Sequence, residues 1–163
     1  MHDVTALIAK SEKLTAATRR FETAVVCPLV QSFSLLPITE EFAKALSVYA
    51  SQTKTPLNKP IEELSDELQI LAIEISHDCP VAYISTCYFG GQGGQNALVW
   101  DKGSLRFSPT TQGYDQVWPN SPISQALRAI GVLAEEGMDE FDTVGLGKHR
   151  HTHKWAETQN KSA

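Results

Sequence analysis

The sequence predicts an α+β fold: an antiparallel sheet with about four helices packed mainly on one of its sides. Three observations predict it. Strand-like runs come in consecutive groups, so hairpins and meanders are favoured over crossover connections. Helical periodicity is confined to separate stretches before, between and after those groups. No strand–helix–strand alternation supports a doubly wound parallel sheet.

Element by element, residues 4–21 read as a helix capped by Asp3. Val4, Leu7, Ile8, Leu14, Ala17 and Phe21 form its imperfect apolar stripe. The period then changes. Ala24–Leu29 and Phe33–Leu36 are short β-rich runs, and Val30-Gln31-Ser32 between them can turn a hairpin. Pro28 and Pro37 cannot donate to a ladder, which makes these strands short or peripheral. Thr39 before Glu40-Glu41 marks a helix start, and Phe42, Leu46 and Tyr49 carry that helix to about Ala50.

After a polar connector, Pro60 suits the first position of the next helix. Ile61, Leu64, Leu68, Leu71 and Ile75 share its apolar face. Leu64, Leu68 and Leu71 are expected to pack against a sheet bearing Val81, Tyr83 and Leu98 or the residues that alternate with them. Val81–Phe89 is the strongest strand of the chain. A glycine cluster at 90–94 separates it from Gln95–Trp100, and Asp101-Lys102-Gly103 turns the chain into Leu105-Arg106-Phe107. The strands thus divide into a hairpin and a three-stranded meander. Residues 108–120 are loop-like. Ser121-Pro122 opens a last helix with Ile123, Leu127 and Ile130 on its inner face.

One domain, residues 1–163, accounts for this length, with a polar C-terminal tail from about 148 that frays. The composition is that of a soluble globular chain, with 42% hydrophobic and 20% charged residues, so global disorder is excluded. No apolar run approaches the roughly 18 residues that span a bilayer. Met1–Thr5 lacks a signal-peptide layout, and the expected location is cytoplasmic. The net charge of −5 argues against nucleic acid as the main ligand, because phosphate binding needs a basic face. Three cysteines, Cys27, Cys79 and Cys87, without a C-x-x-C pair, read as reduced, buried, small apolar residues.

Catalytic equipment is sparse. The glycine cluster leads into a strand and lacks the Lys-Ser/Thr pair of a phosphate loop, so a wide hairpin loop or bulged corner explains it and no nucleotide cofactor is expected. Cys87 beside the glycines could act as a nucleophile if a base such as His77 reached it, although nothing in the spacing joins the two. His149, His151 and His153 would share one face of an extended segment. Lys148, Arg150 and Lys154 among them would repel a cation, and no metal is expected there.

The carboxylates are more informative. Ile61–Asp78 holds Glu62, Glu63, Asp66, Glu67, Glu74 and Asp78 without a lysine or arginine. Ala129–Gly147 holds Glu135, Glu136, Asp139, Glu140 and Asp142, again without one. Such blocks are either solvated surface or a field that speeds association with a basic protein. The expected partner-binding residues are Glu62, Glu63, Asp66, Glu67, Asp139, Glu140 and Asp142, the last three presented by a loop. Trp118 is added as an apolar anchor.

Three blocks, Leu29–Thr39, Tyr88–Ala97 and Asp139–Gly147, together resemble a set of small bacterial proteins, some of which look like immunity proteins of contact-dependent or other polymorphic toxin systems. The resemblance spreads over most of the chain and carries no catalytic motif. It implies a cytoplasmic inhibitor that binds one cognate toxin domain, such as a basic nuclease, and has no enzymatic activity. The competing expectation is a small hydrolase or transferase using Cys87 or His77 beside the glycine loop.

Overall fold

A strand that is buried on both faces has no polar side to show, and the first element of the chain is such a strand. In the computed structural model, which describes residues 1–50, 59–90, 92–108, 110–111 and 120–162, Thr5–Lys10 forms β1. Ser11–Thr18 follows as the short helix α1. The predicted single helix over 4–21 is thus corrected. Ala6, Leu7, Ile8 and Ala9 are all fully buried, and a run apolar at every position also satisfies a helical stripe.

Cys27–Pro28 (β2) and Phe33–Pro37 (β3) form the expected hairpin. Gln31 and Ser32 turn it with positive φ of 59° and 64°. β2 is an edge strand of two residues, in keeping with its proline. Helix α2, Glu40–Ala50, starts where the Phe42 N–H donates to Thr39 Oγ1 at 3.1 Å. Helix α3 spans Asp66–Ser76, so Pro60 does not begin it. Ser65 caps it instead by accepting from the Leu68 N–H at 3.2 Å, with Asp66 and Glu67 in the favoured first turn.

Val81–Phe89 (β4), Gln92–Asp101 (β5) and Ser104–Phe107 (β6) follow, and Thr110–Thr111 (β7) also pairs with β5. The ladder of β4 and β5 continues to Phe89↔Gln92, so Gln92, Gly93 and Gly94 of the cluster lie inside a strand and not in a wide loop. Pro122–Ala129 (α4), Glu140–Thr143 (α5), a 3-10 turn at Leu146–Lys148 and Thr152–Ser162 (α6) complete the chain.

All strand pairings are antiparallel, in the order β2-β3-β1-β4-β5-β6. The α+β class with an antiparallel sheet therefore stands, but with six α-helices among the described residues where about four were expected. The hairpin and the later strands are one continuous sheet, because β1 inserts between β3 and β4.

The helices do not gather on one side. Ala6, Ile8, Ala82, Ile84, Ala97 and Val99 pack with Ile123 and Leu127 of α4 and Trp155 of α6. The alternate residues Leu7, Tyr83, Leu98 and Trp100 pack with Leu14, Phe42, Leu46, Leu68 and Leu71 of α1, α2 and α3. Leu64, Leu68 and Leu71 thus meet Val81, Tyr83 and Leu98 as expected. The expected fraying tail is a packed helix, with Trp155 only 5% exposed.

Candidate functional site

The first acidic block is shaped by the Ser65 cap. Glu62 and Glu63 are exposed in the turn before it, and Asp66 and Glu67 are partly exposed just after it. The positive end of the α3 dipole favours carboxylates here. Glu63 accepts a hydrogen bond from Asn96 Nδ2 of β5, which ties the block to the sheet. It also lies near Tyr83, whose phenol is pushed up to about 12 by burial, with a smaller contribution from the Glu63 charge. Among the described residues, none of Glu62, Glu63, Asp66 and Glu67 makes an ion pair. Glu74, further along α3, is neutralised by the Arg20 guanidinium through bonds of 2.8 and 3.1 Å.

The second block behaves differently, and the expected acidic loop is corrected to a short buried helix. Asp139 caps α5, its Oδ1 accepting from the Asp142 N–H at 2.8 Å. Glu140 takes both arms of Arg128 at 2.7 and 3.1 Å. Asp139 and Glu140 are only 5% and 3% exposed, so they hold α5 against α4 and are not free to meet a partner. Asp142 is exposed, with its carboxyl raised above the usual range by desolvation and by Asp139. Trp118 lies outside the described residues.

The structure does not bring the candidate dyad together. Cys87, expected to be buried with the other two cysteines, is exposed opposite Gly94, because it lies towards the tip of the β4–β5 pair. The His77 ring lies against Gly103, in the turn at the other end of that pair. The six residue steps from Val81 to Cys87 span about 20 Å at strand rise. Cys27 and Cys79 are buried, and burial raises both thiols, Cys27 to about 11.

The histidines of the C-terminal segment are engaged by the protein itself. His149 meets the Trp155 ring edge-on at 4.8 Å, and His151 stacks on His153 at 5.5 Å. His151 Nδ1 also bonds the Asp3 carboxylate. Among the described residues no group of three or more His, Cys, Asp or Glu side chains is placed to hold a metal ion.

Sequence reasoning missed the cluster around His2. Its Nδ1 lies 2.7 Å from Thr86 Oγ1, and its Nε2 lies 3.4 Å from the Leu146 carbonyl. Thr86 Oγ1 also accepts the Val4 N–H at 2.9 Å. Burial is the main reason that His2 titrates below its ordinary range. The only hint in the sequence was a polar threonine inside an apolar strand.

Among the described residues no helix is long and apolar enough to cross a membrane. No protein-family model, no curated protein and no solved structure matches the chain.

Proposed function

We propose that this chain is a non-catalytic inhibitor that acts in the cytoplasm and neutralises a basic toxin domain through the carboxylates at the start of α3. The observation that carries the reading is the set Glu62, Glu63, Asp66 and Glu67, none of which makes an ion pair among the described residues. Unpaired surface charges of one sign raise association rates with a partner of opposite sign. The separation of Cys87 from His77 disfavours the hydrolase or transferase alternative. The resemblance of the three sequence blocks to immunity proteins supplies the class of partner. A nuclease that grips phosphate presents the cationic surface such an inhibitor would mask.

The test is stopped-flow association with a purified basic toxin domain that the chain neutralises, at several ionic strengths. Glu62→Lys combined with Glu67→Lys should slow association about tenfold or more at low salt and flatten the salt dependence. Stability should fall by no more than about 1 kcal/mol, the loss of the favourable Glu67 charge at the start of α3. Cys87→Ala and His77→Ala should leave neutralisation intact. An unaltered rate and salt slope in the double variant would remove the electrostatic basis of the proposal.

A further inference from the structure

A cavity of about 350 Å³ opens at the end of the sheet, lined by Met1, His2, Tyr88, Gly90, Gly147 and Arg150. Its volume is at the lower end of small-molecule sites. We propose that it binds a small molecule carrying one oxyanion, a carboxylate or a phosphate, on a compact flat body. The inference is independent of the acidic surface on α3.

Arg150 supplies the charge. It is exposed, and among the described residues no carboxylate pairs with it. Its main chain is pinned, because its carbonyl accepts the Asp3 N–H at 2.8 Å. A guanidinium left free on a fixed backbone is suited to a two-pronged grip on an oxyanion. Asp3, whose N–H bonds the Arg150 carbonyl, has its carboxylate engaged with His151. Arg150 thus gives the cavity a cationic side chain although the chain is acidic as a whole.

The walls are fixed. His2 and Tyr88 exchange two backbone hydrogen bonds of 2.9 Å, and both His2 ring nitrogens face partners within the protein. His2 is therefore a wall and a sensor of nearby charge, while Arg150 is the ligand-gripping group. The Arg150 charge already helps to hold the His2 imidazole neutral. Gly90 and Gly147 complete the lining, and the space beside both is open, since a Cβ on either would meet nothing within 4 Å. Tyr88 lines the cavity, and an aromatic side chain in the wall suits a flat ligand body.

The experiment is an NMR titration of the intact chain with benzoate, phenyl phosphate and inorganic phosphate. Saturable shifts of the Gly90, Gly147 and Tyr88 amides are expected with at least one of the two aromatic probes. Benzoate alone marks a carboxylate site, and phenyl phosphate alone marks a phosphate site. Inorganic phosphate should bind more weakly than the favoured aromatic probe. The bound anion should also raise the His2 titration midpoint. Arg150→Ala should weaken binding about tenfold or more. Arg150→Lys, which keeps charge and fold but loses the fork, should fall between. No saturation with any probe would overturn the proposal. So would an equal loss in Lys148→Ala or Lys154→Ala, the mark of a diffuse basic surface.

Discussion

Gly93 and Gly90 stand three residues apart at one hairpin tip, yet alanine should affect them very differently. At Gly93, φ is +145°, and an added Cβ would lie 1.8 Å from the Cys87 carbonyl oxygen and 2.7 Å from Tyr88 Cα. These are backbone atoms of the facing strand, so no side-chain movement relieves the overlap. Reaching 3.0 Å requires the strands to part by about 1.2 Å, which breaks the ladder locally. The cheapest relief is to unzip the tip, giving up the pairs Cys87↔Gly94, Tyr88↔Gly93 and Phe89↔Gln92. Cys87 and Phe89 are exposed, so little apolar burial is lost with them. At about 0.5–1.5 kcal/mol for each net hydrogen bond, the loss is about 2–4 kcal/mol. At Gly90, φ is +56° and a Cβ meets nothing within 4 Å, so only the left-handed backbone penalty of about 1–2 kcal/mol applies. Urea melts of Gly93→Ala and Gly90→Ala measure the difference. Hydrogen exchange should show added fraying at the tip in Gly93→Ala. If the two variants lie within about 0.5 kcal/mol of each other, the close strand approach at Gly93 is not what fixes this hairpin.

The Arg128–Glu140 pair should break asymmetrically. Arg128→Ala strands a carboxylate whose side chain is 4% exposed and should cost about 2–3 kcal/mol. Glu140→Gln should cost about 1 kcal/mol, because Arg128 is half exposed and can turn to water. The reverse order in denaturant melts would show that α5 is held by other contacts. The pH dependence follows from His2 and His149, both lowered chiefly by burial. The unfolded chain binds these protons more readily, so their contribution is complete above about pH 6.5 and is lost as pH falls through the lower folded values. His2→Gln combined with His149→Gln should flatten the slope of stability between about pH 7 and 5. An unchanged slope in the urea midpoints would assign it to other groups.

Much of the α+β character was legible because hairpin and cap chemistry are local. Val30-Gln31-Ser32, Thr39 and Ser121-Pro122 each mark a boundary by their own stereochemistry, and each boundary is found. The first strand was not legible, and its misreading misplaced the layers. A half-buried strand alternates, whereas Ala6–Ala9 has no polar phase because helices cover both sides of the sheet. Once β1 is taken for a helix, nothing in the sequence joins the hairpin to β4, and helices on both faces cannot be inferred. Pro60 misled for a related reason. It satisfies the rule for a first helical position, but Ser65 followed by Asp66 and Glu67 is the stronger start, and Ile61 and Leu64 still reach the core from the preceding turn.

The two acidic blocks show where counting charges stops being informative. Each is a run of carboxylates without an interleaved cation. In the second, the cation arrives from Arg128, which lies twelve positions before Glu140, and Asp139 is used by the backbone of its own helix. In the first, Arg20 reaches only as far along α3 as Glu74. Pairing in three dimensions therefore removes Asp139 and Glu140 from the candidate surface and leaves Glu62, Glu63, Asp66 and Glu67 beside the positive end of the α3 dipole. A partner cation placed there would gain from four carboxylates while competing with no internal lysine or arginine among the described residues. Reversing Glu140 would instead break α5 from α4, and any lost binding would report on folding. Charge reversal separates recognition from stability at Glu62 and Glu67, and those are the positions at which the inhibitor reading stands or falls.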